Sequence, residues 1–527
     1  VTKISPPKPG GTLLFLLGDQ LDRETPVLTQ LSTNDGILMA EVQGESTHVP
    51  SHIQRTVLFL AAMRHHAAWL TTQGHRVRYV KLDDPDNTQT LASELLRAVA
   101  SLKSSKVRII RPGDHRVEAA IKTACDSSEL PLEILEDTHF LTTPAQFETW
   151  ASGRASFKME DFYREQRRRL NILVSPDGEP EGGRWNFDVE NRDGPGKLGP
   201  GFLSPPRRFA ADAVTQKVIA AVGKVLPTLP GRIDSFEWPV TRDDALAALD
   251  DFIEHRLFHF GRTQDAMWQG AWSMNHSLIS AALNLKLLSP RECVDAAVSA
   301  YRDNKAPLAA VEGFVRQIIG WREFVRGVYF REGASYADRN WLGASGKLPD
   351  LFWTADTDMN CVKHCVGEVL DRAYGHHIQR LMVLGNLSML LGVHPRTISD
   401  WFLGMYVDAV DWVTLPNVLG MSQHADGTAR HGPIVGTKPY AASGQYIKRM
   451  SNYCAGCRYD PLKRVGDDAC PFTALYWDFL LRNRSKLSHN HRMRTIMGNI
   501  DRFTPQQLQE ITISARSVRM RLGVETQ

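Results

Sequence analysis

The sequence has no apolar run approaching the ~20 residues that a membrane-crossing helix needs, so no spanning segment is expected. It also lacks the P-loop, H-E-x-x-H and G-x-S-x-G, and the turn after its first strand has no G-x-G-x-x-G, which sets aside the common nucleotidase, zinc-protease and hydrolase signatures and disfavours a nicotinamide site there. Cysteine is scarce, seven in 527 residues, and an odd number so thinly spread is no disulfide framework. Net charge is nearly absent: 62 lysines and arginines stand against 59 acids, so any basic footprint must be local. The opening stretch from Val1 to Gly11 is rich in Pro, Gly and Lys and has no charged-then-apolar order of a secretory signal. Together these absences predict a cytoplasmic protein.

What is present is material for large cores, with 43% hydrophobic residues, and 12 tryptophans of which only Trp69 and Trp150 fall in the first third of the chain. Short β-branched runs at Leu13–Leu17, Gly36–Val42, Val77–Leu82 and Val107–Ile110 alternate with helical spacing over Ile53–Gln73 and Thr90–Leu102. That alternation predicts a parallel sheet covered by helices, a Rossmann-like α/β domain over residues 12–141. Gly18-Asp19-Gln20 directly follows the first strand, where open α/β sheets bind ligands. Residues 142–238 lose periodicity and carry Pro/Gly turns, which predicts an interdomain linker; within it Arg164, Arg167, Arg168 and Arg169 form either a solvated helical face or a phosphate-contacting patch. From residue 239 to 527 strand signals almost vanish, predicting a large all-helical domain with helices over Asp243–Phe258, Ser277–Leu288, Ala309–Phe330, Val362–Leu390, Arg396–Val407 and Thr473–Asn483.

Cys454-x2-Cys457, followed after twelve residues by Cys470-Pro471, has the spacing of a metal-ligand group. Three thiolates leave one position open for Cys361 or Cys365, and spacing alone leaves an iron–sulfur cluster and a four-thiolate zinc site as alternatives.

Several separated segments carry a family resemblance: Gly18-Asp-Gln-Leu21, Gly182-Gly-Arg-Trp-Asn-Phe-Asp188, Asn275-His-Ser-Leu278, Glu312 to Glu323, His376-His-Ile-Gln-Arg-Leu-Met382, Leu415-Pro-Asn-Val418, Gly436-Thr-Lys-Pro-Tyr440 and the cysteine group. From about Leu13 to His491 the chain resembles the bacterial photolyase/cryptochrome proteins that carry an iron–sulfur cluster, whose members repair (6-4) photoproducts in DNA. The resemblance implies a photolyase/cryptochrome architecture: an antenna pigment in the α/β domain, FAD in the helical domain, and a [4Fe-4S] cluster on four cysteines. Cys361 follows Met-Asn as the family's earlier cysteine does, so the implied ligands are Cys361, Cys454, Cys457 and Cys470.

By the same resemblance FAD is held by Gly261, Thr263, Gln264, Asn275, Ser277, Leu278, Ser280, Glu312, Gln317, Trp321, Arg322, Thr414 and Asn417, with Arg380 and Asp408 as an ion pair against the flavin ring. His376 and His377 are the implied repair histidines, with His377 the preferred acid, because reversing a (6-4) lesion needs a group that gives and retakes a proton near neutral pH. Trp401 and Trp353 are the implied electron-transfer residues. Lys438, Tyr440, Lys448 and Arg449 are the expected DNA contacts; a loop longer than the family's adds Arg430 and His431, which either touch DNA or, by default, are plain solvated loop. The antenna, a lumazine (6,7-dimethyl-8-ribityllumazine), is expected at Gly18, Asp19, Gln20, Glu41, Glu45 and His48.

Three positions depart from the family pattern: Phe402 where a tyrosine often follows the relay tryptophan, Thr414 where some relatives place a glutamate facing flavin N5, and His48 where a tyrosine is common. The expected function is light-driven repair of (6-4) photoproducts by a lyase acting on damaged DNA as a monomer. The alternative is a cryptochrome-like blue-light receptor with the same cofactors and no repair.

Overall fold

A computed structural model describes residues 10–154, 157–196, 199–428 and 432–525. Arg430, His431 and residues 1–9 lie outside the described residues. Five parallel strands form one sheet in the order β3-β2-β1-β4-β5: β1 Thr12–Phe15, β2 Gly36–Ala40, β3 Val77–Val80, β4 Lys106–Ile110 and β5 Leu132–Leu135. The first four coincide with the expected runs; β5 was not expected, because its Leu-Glu-Ile-Leu alternation is only four residues long and half-buried. Register is set by pairs such as Leu13 with Gly36 and Leu13 with Val107, and β1 and β2 are buried on both faces, as strands covered by helices must be.

The strand order reverses beside β1, which opens a crevice at the carboxyl ends of β1, β2 and β4. One sheet face packs Leu13, Phe15, Leu38 and Val107 against the helices Leu91–Leu102 and His115–Ser127. Leu14, Leu16, Ile37 and Met39 on the other face share a core with helix Ile53–Thr72 and, through Val222 and Phe314, with the helical region. A second large core around Leu384, Trp401 and Phe472 serves the C-terminal helices.

The stretch 142–238 contains three helices, Pro144–Ala151, Met159–Leu170 and Ala213–Val225, and is more ordered than its turn-rich composition suggests. Its arginines are largely used internally, which overturns both readings of the patch for Arg167. That side chain is buried and donates to the carbonyls of Ile172, Trp185 and Leu173, closing the C-terminal end of its helix. Arg168 lies over Trp185 and Arg169 donates to the Leu141 carbonyl.

Three expected helices are broken. Asp243–Phe258 divides at Arg256 into Arg242–His255 and Leu257–Thr263. Ser277–Leu288 is helical only over Ser280–Asn284. Val362–Leu390 splits into Asn360–Arg372 and a second helix that opens at His377 and is widened to π-helix over Gln379–Gly385 before Asn386–Leu391, because Ala373 takes a left-handed φ of 52° and Gly375 follows. Among the described residues no helix is long and apolar enough to cross a membrane.

Candidate functional site

The break after Arg372 sets the geometry of the site. His376 lies in the connecting segment and His377 opens the next helix, so the two do not sit side by side on one helix as the sequence predicts. His376 is 1% exposed, has no hydrogen-bond partner on either ring nitrogen, and stacks on His276 with centroids 4.7 Å apart. Burial, then the neighbouring His276 and His377, hold its pKa well below the ordinary histidine value. His377 is half-exposed, and its Nε2 lies 3.0 Å from the Asp265 carboxylate. The Asp265 charge also acts on Tyr440 and Tyr446, so the histidine opening and the loop around Lys438 lie near one another. Lys448 and Arg449 project from helix Gly444–Met450, both exposed, while Lys438 and Tyr440 are half-buried.

Three residues after His377 on the second helix, Arg380 reaches Asp408 through both terminal nitrogens, at 2.9 and 3.0 Å. Burial works against the Arg380 charge, but the Asp408 carboxylate, with the Tyr406 and Tyr374 hydroxyls, outweighs it and raises the guanidinium pKa. Helix Ser280–Asn284 ties this pair into the core. Ser280 Oγ donates to Asp408 at 2.6 Å, Asn284 donates to the Asp408 carbonyl, and the Leu283 carbonyl accepts from Arg322. Arg322 lies in turn over Phe140 and Trp412. Beside Ser277 and Leu278 a cavity of about 250 Å³ is lined by Trp238, Trp272, Arg207, Arg208, Arg256 and Arg372. Its cations suit phosphate and its indoles suit flat rings, and Asn275 adds a buried side-chain oxygen without a partner.

Other expected members of this set are used elsewhere. Glu312 is fully buried and accepts from Tyr163 Oη and the Phe187 backbone, beside Arg316, so it braces the segment 182–191. Gly261 and Gln264 pack against Asn191 of the same segment, and buried Thr263 donates to the His259 carbonyl of its own helix. Gln317 and Asn417 donate to carbonyls of their own helices, at Gly313 and Val413. Trp321 packs edge-on to Phe324, and Thr414 is buried one turn after Val410.

Trp401 is buried, with its indole N–H donated to Phe352, the neighbour of Trp353. Phe402 and Tyr406 both lie against it, at 5.2 and 5.8 Å between centroids, and the Arg380 guanidinium sits 4.1 Å above the Tyr406 ring. Tyr406 therefore connects the ion pair to Trp401 where Phe402 cannot be oxidised. The sequence carried the signal, since Tyr406 closes the run that starts at Trp401, but the helix end that turns it inward was not legible.

Cys361, Cys454, Cys457 and Cys470 line one apolar pocket with Met359, Tyr453 and Phe472. Burial, then the neighbouring cysteines, push the Cys361 thiol well above its usual range. Cys365 points away, toward Tyr453 Oη at 3.9 Å.

At the sheet crevice Gly18, Asp19, Glu41, Glu45 and His48 line a second cavity of about 120 Å³ with Arg55, Phe59, Gly113, Asp114 and Asp411. Gln20 does not line it: its amide is spent on the Leu17 N–H and the Ile110 carbonyl, which fixes the loop instead. Glu41 is bidentate to Arg64 and accepts from Tyr79. Burial raises the Asp19 pKa and, with the neighbouring Asp114 carboxylate, lifts Asp411 to about 6.

Known proteins resemble this chain along its length. The family profile described as deoxyribodipyrimidine photo-lyase-related protein matches residues 14–238. A (6-4) photolyase of Agrobacterium fabrum is 45% identical over 483 residues, covering 91% of this chain and 94% of its own. Two solved structures share the fold: a bacterial class III photolyase from Agrobacterium tumefaciens, with TM-score 0.55 at 16% identity over 100% of this chain and 94% of its own, and a Synechocystis cryptochrome, with TM-score 0.53 at 13% identity over 85% and 89%.

Proposed function

From a chain that belongs to the photolyase/cryptochrome family, we propose a light-driven DNA (6-4) photolyase that uses FAD. Family membership carries FAD binding and a DNA substrate. When bound, the flavin supplies the light-excited electron that the lesion needs. The observation that carries the repair reading is one of proximity: the half-exposed His377, oriented by Asp265, lies near Tyr440, Tyr446 and the Lys438 loop.

The residues fit the flavin. Ser277 and Leu278, with Arg207, Arg208, Arg256 and Arg372, would hold the pyrophosphate and ring systems, and the Arg380–Asp408 pair would lie against the isoalloxazine. Asn275 has a buried oxygen ready for a donor. His377 gives a proton to the migrating group of the lesion and retakes it, with Asp265 holding the ring; His376, buried and kept neutral, shapes the floor beneath. Lys438, Lys448 and Arg449 hold phosphates on either side while the lesion is flipped out of the duplex.

Two further cofactors belong to this reading. The four cysteines around one apolar pocket, with Pro471 directly after Cys470, support a [4Fe-4S] cluster on Cys361, Cys454, Cys457 and Cys470. The crevice at Gly18, Asp19, Glu41, Glu45 and His48 supports a hydrogen-bonding antenna such as the lumazine.

The test is illumination of purified protein with an oligonucleotide carrying one (6-4) lesion. Restoration of the two pyrimidines in light and not in darkness is expected. A flavin-loaded protein that leaves the lesion untouched would overturn repair and favour the light-receptor alternative.

A further inference from the structure

Three histidines meet at the opening. His276 comes from the segment before helix Ser280–Asn284, and His376 and His377 from the break after Arg372; one ring nitrogen from each lies within 4.8 Å of the others. Their outer hydrogen bonds have the pattern of ligating imidazoles. His276 is hydrogen-bonded to the Gln264 backbone, and its Nε2 is buried with no partner. His377 has its Nε2 on the Asp265 carboxylate, which leaves Nδ1 as its ligand atom. Neither nitrogen of buried His376 is engaged. A hydrogen bond on one ring nitrogen fixes the tautomer and commits the other lone pair, which is how proteins prepare histidine for a metal.

We propose that His276, His376 and His377 form a binding site for one zinc-class divalent ion, with Asp265 supporting His377 from behind. Three imidazoles with an open fourth position suit Zn²⁺, while Ca²⁺ and Mg²⁺ prefer oxygen ligands. An ion at about 2.0–2.1 Å from each nitrogen draws the rings closer than they now stand. The His276 and His376 planes are 11° from parallel, so one ring must turn before both lone pairs converge. His376 is the ring free to do so, because it has no hydrogen bond to lose. Where His377 acts as proposed above, a bound ion occupies the nitrogen that would carry the proton and blocks repair; this consequence alone rests on the photolyase reading.

Zn²⁺ titrated into full-length protein, at matched FAD and iron content, should bind with one equivalent per chain above that of the His276→Ala/His377→Ala double variant, as read by competition with a chromogenic chelator. His377→Ala alone, at a half-exposed position that leaves packing intact, should weaken binding roughly tenfold or more, and Asp265→Asn by a similar factor of about 10–100. Iron content should not change on titration, which separates this site from the cysteines. Equal zinc affinity in wild type, single and double variants would overturn the site. Repair by the wild type should fall with a midpoint at the binding midpoint and return on chelation; zinc bound with repair undiminished would overturn the blocking role. A wild type that binds zinc but never repairs DNA would uphold the site and fail only the photolyase reading.

Discussion

His376 and His377 are neighbours in sequence and opposites in environment. One is enclosed, unpartnered and held neutral by burial; the other is half-exposed and fixed by a carboxylate 3.0 Å away. The sequence named both but could not separate them, since exposure depends on the backbone break at Ala373 and Gly375. Arg380 and Asp408 were expected as a pair and meet as one, although 28 residues apart, because helix Ser280–Asn284 clamps Asp408 from the other side. Tyr406 was not foreseen. Its ring joins Arg380 to Trp401, and its hydroxyl is buried with no acceptor, so an oxidised Tyr406 could not shed its proton and would pass the vacancy on to Trp401. Tyr406→Phe should slow light-driven flavin reduction by at least roughly tenfold, the effect of about 1.4 kcal/mol in barrier. Transient absorption checks this; a rate within a factor of about two of wild type would mean that Trp401 needs no intermediary.

At the scale of elements, the sheet was legible because fully covered strands read as apolar runs, whereas β5 at the edge was too short to register. The long helices were legible in period and not in continuity. A single left-handed residue broke Val362–Leu390, and nothing in the apolar spacing marks Ala373 as that residue. The cysteine group shows the same division. Spacing predicts the local trio, but Cys361 and Cys365 lie one helical turn apart, and only the fold turns Cys361 into the pocket and Cys365 onto Tyr453. Cys470→Ala should therefore remove the broad visible absorption and most of the iron, while Cys365→Ala should keep both. Iron analysis of the two purified variants decides between them; equal iron loss would mean that Cys365 is a ligand.

Across the whole molecule, 62 basic and 59 acidic residues almost cancel, so function depends on where charge is buried rather than on how much there is. Burial lowers His52 to about 4 and His66 and His424 to about 3, below the unfolded value of about 6.5. Between those limits the unfolded chain binds more protons, so their contribution is intact above about pH 6.5 and is lost as pH falls toward 3–4. Burial also raises Glu368 to about 7 and Asp411 to about 6, whose contributions run the other way and decline as pH rises from about 4 to 7. The histidine shifts are the larger set, so denaturation at pH 5 should need less denaturant than at pH 7, by an amount on the order of a few kcal/mol. A midpoint that rises on acidification would show that the two buried acids dominate.

On the proposed reading His377 moves the proton in repair while the flavin is held by other groups. The decisive measurement is illuminated turnover of a (6-4) substrate by wild type, His376→Ala and His377→Ala at matched FAD occupancy. His377→Ala should keep its flavin spectrum and most of its DNA affinity, which comes mainly from phosphate contacts. Its repair yield should fall by about 10²–10⁴, the usual contribution of a general acid–base group. Wild-type repair by the His377 variant would contradict the account.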